Sequence, residues 1–204
     1  MTIQKKIYLF PLWARIWHGV NAVGILVLIA TGISMQYSTA SFILIDFKTS
    51  IKLHNIAGIV VAVFYLMFII GNIVTPNGSF YHLKISGAGK RMLKQVKYYL
   101  CCFFKIETPP YPISEKHKFN PLQKYAYIGV MYVIVPFVII SGIALLFPEF
   151  IIEEIFNVSG IMLTAVLHGI AGFLILIFLI VHIYVAAIGE SPTKNFKSMI
   201  TGWH

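Results

Sequence analysis

The sequence predicts an all-α integral membrane protein: a four-helix bundle with both termini in the cytoplasm and a long cytoplasmic connection between its second and third helices. The composition supports this class, because 58% of the 204 residues are hydrophobic, only 11% are charged and the mean hydropathy is +0.83, well outside the range of soluble domains. Four apolar windows are each about as long as the roughly 20 residues needed to cross a bilayer. They cover residues 16–36, 53–74, 125–147 and 161–188.

The distribution of positive charge predicts the orientation. Fourteen of the sixteen Lys and Arg residues lie in the N-terminal segment, in the connection 75–124 or in the C-terminal tail, whereas only Lys48 and Lys52 lie on the opposite side. Short loops rich in Lys and Arg stay in the cytoplasm, so we expect a multi-pass protein with both termini inside. The net charge of +9 is a topological signal and does not indicate nucleic acid.

The first window follows positive charge, as a signal peptide does, but it is long enough to span and lacks a convincing cleavage site. We therefore expect it to remain as the first helix. The chain 1–204 is expected to be a single domain, because no second domain is visible. Its two cysteines, Cys101 and Cys102, are adjacent and form no C-x-x-C-H motif, which excludes covalent c-type haem attachment.

Within the long connection, residues 88–104 mix apolar and basic side chains at helical spacing, which indicates a helix at the membrane interface. Residues 108–112 contain three prolines and must be extended. The third window has Pro136, which predicts a kink, and it lacks histidine. Residues 31–33 of the first window and 141–143 of the third share small residues that permit close helix contact.

Four histidines lie within or at the edge of the apolar windows: His18, His54, His168 and His182. An ionisable group in a membrane span is costly and is by default a candidate functional residue. His168 and His182 are 14 residues apart, which on a helix means about 21 Å of separation and only about 40° of rotation. Matching of depth then pairs His54 with His168, called here the outer pair, and His18 with His182, the inner pair.

Each pair is suited to clamp one planar iron macrocycle, since imidazole is a haem ligand and bundle interiors commonly hold such groups. Two haems b are therefore predicted. Zinc would require ligands converging on one tetrahedral centre, whereas these pairs lie far apart along the fourth helix. Glycines flank the ligands and would let a porphyrin approach the main chain; they are Gly19, Gly58, Gly169 and Gly172. His82, His117 and His204 lie outside the windows, and we assign them no role in binding.

A haem with two imidazole ligands has no vacant axial position and serves in electron transfer. At this point the residues identify a family resemblance. The chain resembles the two-haem cytochrome b subunits of respiratory enzymes: the formate dehydrogenase gamma subunit, the nickel-iron hydrogenase b-type cytochrome and the thiosulfate reductase cytochrome b. The resemblance rests on Pro11-x-Trp13-x-Arg15-x-x-His18, on His54-x-x-x-Gly58, on the run from Lys118 to Lys124, and on the spacing of the last two histidines.

The resemblance implies that the outer haem exchanges electrons with an iron–sulfur subunit attached to a catalytic redox subunit. It also implies a site for menaquinone or ubiquinone beside the inner haem, with Asn120 and Gln123 as candidate hydrogen-bonding residues. The chain has Phe119 and Leu122 where the family motif has Tyr and often Gly. From the residues alone, Asn120 and Pro121 are equally suited simply to begin the third helix.

Three classes of function remain in view. The first is a membrane anchor and electron carrier that links partner subunits to the quinone pool. The second is a stand-alone cytochrome b that oxidises superoxide and reduces quinone, which the acidic outer loops disfavour because an anionic substrate is steered by positive charge. The third is a haem-free transporter or scaffold, which would leave the four histidines unexplained.

Overall fold

We describe a computed structural model that covers residues 6–39, 42–102, 109–114, 117–188 and 191–204. Four long apolar helices dominate it, and each is long and apolar enough to cross a membrane. They are α1 (Leu12–Tyr37), α2 (Phe47–Val74), a third helix (Pro121–Leu146) and α6 (Gly160–Ala187). The third consists of α4 (Pro121–Gly129), a π-helical turn (Val130–Ile134) and α5 (Val135–Leu146). The predicted fold class is confirmed in this respect.

Local capping explains why the second to fourth helices begin before the apolar windows do. The side chain of Asp46 accepts a hydrogen bond of 3.0 Å from the main-chain N–H of Thr49 and starts the second helix. Ser159 accepts one of 3.5 Å from the N–H of Met162 and starts the fourth. Such caps satisfy N–H groups that have no partner within the helix. The polar residues at these ends are invisible to a hydropathy window.

The π-helical turn in the third helix is the local response to Pro136. Proline lacks an N–H and clashes with the carbonyl four residues earlier, so the preceding turn widens. In the widened register the N–H missing at Pro136 would have bonded to the carbonyl of Met131. Tyr65 of the second helix replaces it, donating a hydrogen bond of 2.9 Å from its hydroxyl to Met131 O. The predicted disturbance at Pro136 is therefore present, and its free carbonyl is satisfied from a neighbouring helix.

The first helix packs chiefly on the second, and the third packs chiefly on the fourth. Two glycines allow close approach in the first of these contacts. A Cβ at Gly24 would lie 2.5 Å from Val61 Cγ2, and a Cβ at Gly71 would lie 2.6 Å from Trp13 Cζ3. Many Leu, Ile, Val and Phe side chains on the four helices remain exposed. An apolar exterior of this kind fits a hydrocarbon environment.

The long connection holds a 3₁₀ helix (Pro76–Tyr81), α3 (Ala88–Lys97) and a π-helical turn (Tyr98–Cys102). The helix predicted for residues 88–104 is thus present as far as 102, and Phe103 and Phe104 lie outside the described residues. Residues 109–112 form neither helix nor strand, but Pro110 and Tyr111 lie in a bend, so the expected extended conformation is not maintained there; Thr108 lies outside the described residues. Lys5, Lys105 and Lys116, which contributed to the charge count, also lie outside the described part.

The two ends of the described chain pair with each other. Ile7 and His204 exchange main-chain hydrogen bonds of 3.0 and 2.9 Å, and the N–H of Leu9 donates to Gly202 O at 2.9 Å, just after α7 (Lys194–Thr201). The ends therefore lie on one side of the bundle. That this side is the cytoplasm remains a prediction from the charges.

A short hairpin connects the third and fourth helices, and the sequence patterns did not predict it. It consists of β1 (Glu154–Ile155) and β2 (Val158–Ser159), which pair in antiparallel fashion. Phe156 and Asn157 form the turn, with φ of 53° and 60°.

Candidate functional site

The structure brings the four window histidines together in the two predicted pairs. His18 lies in the first helix, His54 in the second, and His168 and His182 in the fourth. The ring centroids of His54 and His168 are 6.2 Å apart, with 68° between the ring planes. Those of His18 and His182 are also 6.2 Å apart, with an angle of 52°. The pairs were inferred from depth alone, and the tertiary contacts agree with them.

This separation matches what one metal ion between two imidazoles requires. An imidazole nitrogen binds a transition-metal ion at about 2 Å, so two rings holding one ion in line have centroids roughly 6 Å apart. Edge-to-face ring pairs in direct contact cover the same range of about 4.5–7 Å, so the distance leaves room for one ion between each pair but does not by itself require one. Within the described residues no three His, Cys, Asp or Glu side chains converge on one point. The arrangement is therefore that of two two-ligand sites, and no tetrahedral zinc centre is present in the described part.

Both pairs face one continuous cavity of about 1800 Å³ that runs along the bundle. This exceeds the roughly 300–1,000 Å³ of an ordinary small-molecule pocket, so the space is sufficient for more than one ligand. A Cβ added at Gly169 or Gly172 would meet nothing within 4 Å, and one at Gly58 would meet only Leu28 Cδ2 at 3.9 Å. These three glycines line the cavity and leave flat, open wall beside the histidines. The residues present thus fit the predicted haems.

Among the described residues, the cavity wall contains one buried N–H donor without a hydrogen-bond partner, Trp17 Nε1. Buried polar atoms in proteins are normally hydrogen-bonded, so this donor indicates a ligand with an acceptor group. A haem has two carboxylates as well as its apolar ring, and such a ligand would present hydrogen-bond acceptors to Trp17.

Each histidine of the outer pair is hydrogen-bonded to a hydroxyl from the preceding long helix. Thr31 Oγ1 lies 2.9 Å from His54 Nδ1, and Ser141 Oγ lies 2.9 Å from His168 Nδ1. These are the first residues of the two small-residue segments that the sequence had suggested for close helix contact. The contact they make is with the imidazoles. Sequence reasoning missed this role, although the matching Thr-Gly and Ser-Gly pairs were the available signal.

The inner pair has a different environment, which is aromatic. Tyr127 has its hydroxyl 3.3 Å from His182 Nδ1, and Phe178 stacks on the His182 ring at 5.5 Å. Trp17, adjacent to His18 in the chain, stacks on Phe68 at 4.6 Å. These rings enclose the inner histidines on the side of the long connection. No sequence pattern distinguished them from ordinary core aromatics.

Asn120 and Gln123 both line the cavity, and both also begin the third helix. Asn120 Oδ1 accepts a hydrogen bond of 2.9 Å from the N–H of Gln123, and Gln123 Oε1 accepts one of 3.2 Å from the N–H of Asn120. This reciprocal pair is a capping box. Asn120 Nδ2 donates to the hydroxyl of Tyr99 at 2.8 Å. Burial raises the pKa of Tyr99. The two roles left open by the sequence are thus compatible, since Gln123 Nε2 retains its two donors.

Lys118 is an unusual member of this end of the cavity, because it is only 9% exposed. Its ammonium group donates a hydrogen bond of 2.7 Å to Asn77 Oδ1 and lies over the rings of Phe80 and Phe10, 4.4 and 5.5 Å from their centroids. Burial lowers the pKa of Lys118 to about 8. The sequence had placed this residue in the motif run without giving it a task.

The remaining three histidines belong to neither pair, although His204 does line the cavity. His117 Nδ1 is 3.4 Å from Ser114 Oγ, and His204 Nδ1 is 3.2 Å from Ser198 Oγ. His82 follows the 3₁₀ helix of the long connection and does not line the cavity.

Four apolar helices with histidines on the first, second and fourth define a membrane-bound b-type cytochrome. The chain belongs to the prokaryotic cytochrome b561 family, whose family model matches residues 9–202. It is similar to the putative cytochrome YdhU of Escherichia coli strain K12, with 32% identity over 200 residues that cover 98% of this chain and 75% of the relative. Haem b, electron transfer and a bacterial membrane location follow from this membership, in agreement with the family resemblance of the sequence.

Proposed function

We propose that this chain is a two-haem membrane subunit that carries electrons between a partner's iron–sulfur centre and the quinone pool. The observation that carries the proposal is the pair of 6.2 Å histidine separations, one at each level of a single cavity. Haem supplies one-electron chemistry when bound, and an iron with two imidazole ligands has no open position for substrate. The chain's own residues then have to hold, orient and separate the two groups.

The fourth helix sets the distance between the two sites. It is continuous from Gly160 to Ala187, so His168 and His182 lie about 21 Å apart along its axis. The first and second helices each contribute the opposite ligand at one level. Since the cavity wall is mostly apolar, it excludes water from the space between the levels. Two haems held one above the other in this cavity would let electrons cross the membrane without opening a path for ions.

We place quinone exchange beside the inner pair, where Gln123 and Tyr99 line the same cavity as His182. Asn and Gln side chains both donate and accept, which suits the carbonyl and hydroxyl oxygens of quinone and quinol. The iron–sulfur and catalytic redox subunits are assigned to the opposite face, next to the outer pair. Because the positive charges predict that residues 75–124 lie in the cytoplasm, the quinone site belongs to the cytoplasmic side of the inner membrane.

Haem stoichiometry tests the core of the proposal. The full chain is purified in detergent and assayed by pyridine haemochrome and by its reduced-minus-oxidised spectrum, and two haems b per chain are expected. H54A and H182A should each retain one haem, because the two pairs are separate. H82A is the matched control and should retain two, since that ring lies outside the cavity. A folded chain without haem, after expression with ample haem supply, would overturn the proposal.

The quinone assignment has a separate test. The dithionite-reduced protein is mixed with a short-chain menaquinone or ubiquinone analogue, and reoxidation is followed by absorbance. Q123E keeps an oxygen for the capping box but removes the Nε2 donors, so we expect slower reoxidation. Q36E is the control, because Gln36 lines the far end of the cavity, on the first helix. Equal slowing in both variants would contradict the assignment.

The partner assignment is tested in native membranes. Mild solubilisation and affinity purification of the tagged chain should recover an iron–sulfur protein with it. A chain that purifies alone and reduces quinone in a superoxide-dependent manner would support the stand-alone alternative instead.

A further inference from the structure

The hydroxyls of Thr31 and Ser141 occupy equivalent places in the two halves of the bundle. Thr31 is 1% exposed and Ser141 is 7% exposed. Each precedes a glycine whose missing Cβ faces the same imidazole: a Cβ at Gly32 would lie 3.6 Å from His54 Cε1, and one at Gly142 would lie 3.1 Å from His168 Cε1. Hydroxyl and glycine together form a small seat for each ring of the outer pair.

Each of the two hydroxyls donates its proton to a main-chain carbonyl of its own helix. Thr31 Oγ1 lies 2.7 Å from Val27 O, and Ser141 Oγ lies 2.8 Å from Phe137 O. A carbonyl oxygen has no proton to give, so the hydroxyl must be the donor at these short distances. A hydroxyl has only one proton. Toward the imidazole, therefore, each hydroxyl oxygen acts as the acceptor.

The tautomer of each outer histidine follows from this assignment. If the hydroxyl accepts, Nδ1 must carry the ring proton in His54 and in His168, and Nε2 of the neutral ring is then unprotonated. A second carbonyl of the same turn, Leu28 O or Val138 O, lies 3.2 Å from each hydroxyl and gives its proton a further acceptor within the helix. Each hydroxyl thus requires the tautomer of its histidine in which Nε2 has a lone pair free for a metal.

The inner pair has no equivalent seat. Its only hydroxyl contact among the described residues is that of Tyr127 with His182, at 3.3 Å. In the same part of the chain the Tyr127 hydroxyl has no carbonyl acceptor, so its proton remains available for the ring. His18 makes no side-chain hydrogen bond there. The inner rings are thus not restricted to one tautomer by the same means.

We propose that Thr31 and Ser141 are positioning residues that hold His54 and His168 in the Nδ1–H tautomer and so prepare both Nε2 atoms to ligate the outer iron. This inference rests on the proposed function, because it takes the outer pair to be haem ligands. A hydrogen bond from the second ring nitrogen makes the imidazole a stronger ligand, and losing such a partner typically lowers metal affinity about 10-fold or more. A stronger ligand favours ferric iron, so the hydroxyls lower the midpoint potential of the outer haem.

Potentiometric titration of the full chain in detergent tests this inference, because it measures a separate midpoint potential for each haem. T31V and S141A remove the acceptor while preserving or reducing side-chain volume. In each we expect one midpoint potential to rise and the other to stay unchanged, or the outer haem alone to be lost. T31S restores an acceptor and should return the midpoint to its original value. Low-temperature electron paramagnetic resonance should show a change in only one low-spin ferric signal.

T164V is the matched control. Thr164 makes the same bond to the carbonyl four residues earlier, 2.8 Å from Gly160 O, in the helix that carries His168. Among the described residues it makes no hydrogen bond to a histidine, so both potentials should remain as in the unaltered chain. Either T31V or S141A suffices alone if the other does not fold. Two haems with unchanged potentials in both variants would overturn the inference, as would equal shifts in T164V; absence of haem from the unaltered chain would instead overturn the proposed function.

Discussion

The hydroxyl of Tyr65 in the second helix donates a hydrogen bond of 2.9 Å to the main-chain carbonyl of Met131 in the third. That carbonyl lies in the π-helical turn before Pro136 and has lost its own helical donor. Y65F would leave a partly buried carbonyl unpaired, so we expect the free energy of unfolding to fall by about 1 kcal/mol, the lower end of the cost of an unpaired buried group. Thermal unfolding in detergent measures this loss. Y184F should have no effect, because Tyr184 is 64% exposed and faces outward from the fourth helix.

Gly142 lies closer to the His168 ring than Gly32 does to the His54 ring, so alanine substitutions at the two glycines should have unequal effects. The methyl group of G142A would lie 3.1 Å from His168 Cε1, closer than an ordinary contact, whereas that of G32A would lie 3.6 Å from His54 Cε1. G142A must displace its ring, so we expect lower haem occupancy and a shifted spectrum of one haem. G32A should bind haem as the unaltered chain does. The reverse order would show that the ring positions are adjustable.

The glycines that face open space predict a separation of folding from haem binding. A Cβ at Gly172 would meet no protein atom within 4 Å, and alanine is intrinsically the better helix former by up to about 1 kcal/mol. G172A should therefore fold as stably as the unaltered haem-free chain but bind less haem. Haem content and the thermal stability of the haem-free protein are the two measurements. Full haem content would mean that the porphyrin does not lie against this part of the wall.

Gly24 provides the opposite case, in which alanine disturbs the protein itself. A Cβ there would lie 2.5 Å from Val61 Cγ2 in the interface of the first and second helices. Overpacking of this kind typically reduces the free energy of unfolding by about 1–3 kcal/mol. We expect G24A to lower the thermal unfolding midpoint. G129A is the control, because a Cβ at Gly129 meets nothing within 4 Å.

Lys118 predicts a dependence of stability on pH. Its pKa is lowered to about 8 in the folded chain because of burial, against an ordinary value of 10.5. Between these values the unfolded state binds the proton and the folded state does not, so stability should rise with pH from about 8 upward. K118M should lose this part of the slope. K48M is the control and should keep the slope. The measurement is the unfolding midpoint of each protein between pH 7 and 10. Equal slopes in K118M and in the unaltered chain would contradict the prediction.

The sequence by itself determined the class of protein and the pairs of histidines. Apolar windows of spanning length report burial in lipid directly, and the 14-residue spacing of His168 and His182 fixes their common face, because helix geometry is local and regular. Even the disturbance of the third helix was readable from Pro136, since a missing N–H has a local effect.

The tertiary structure alone decided which side chains support those histidines. Thr31 and His54 are 23 residues apart in the chain, and Tyr65 and Met131 are 66 apart; their contacts depend on how whole helices rotate and approach, which no local pattern specifies. The true starts of the second and fourth helices were likewise not predicted, because the caps at Asp46 and Ser159 extend these helices beyond the apolar windows. The seat around each outer ring therefore emerges only when the packed helices place a hydroxyl and a glycine against one imidazole.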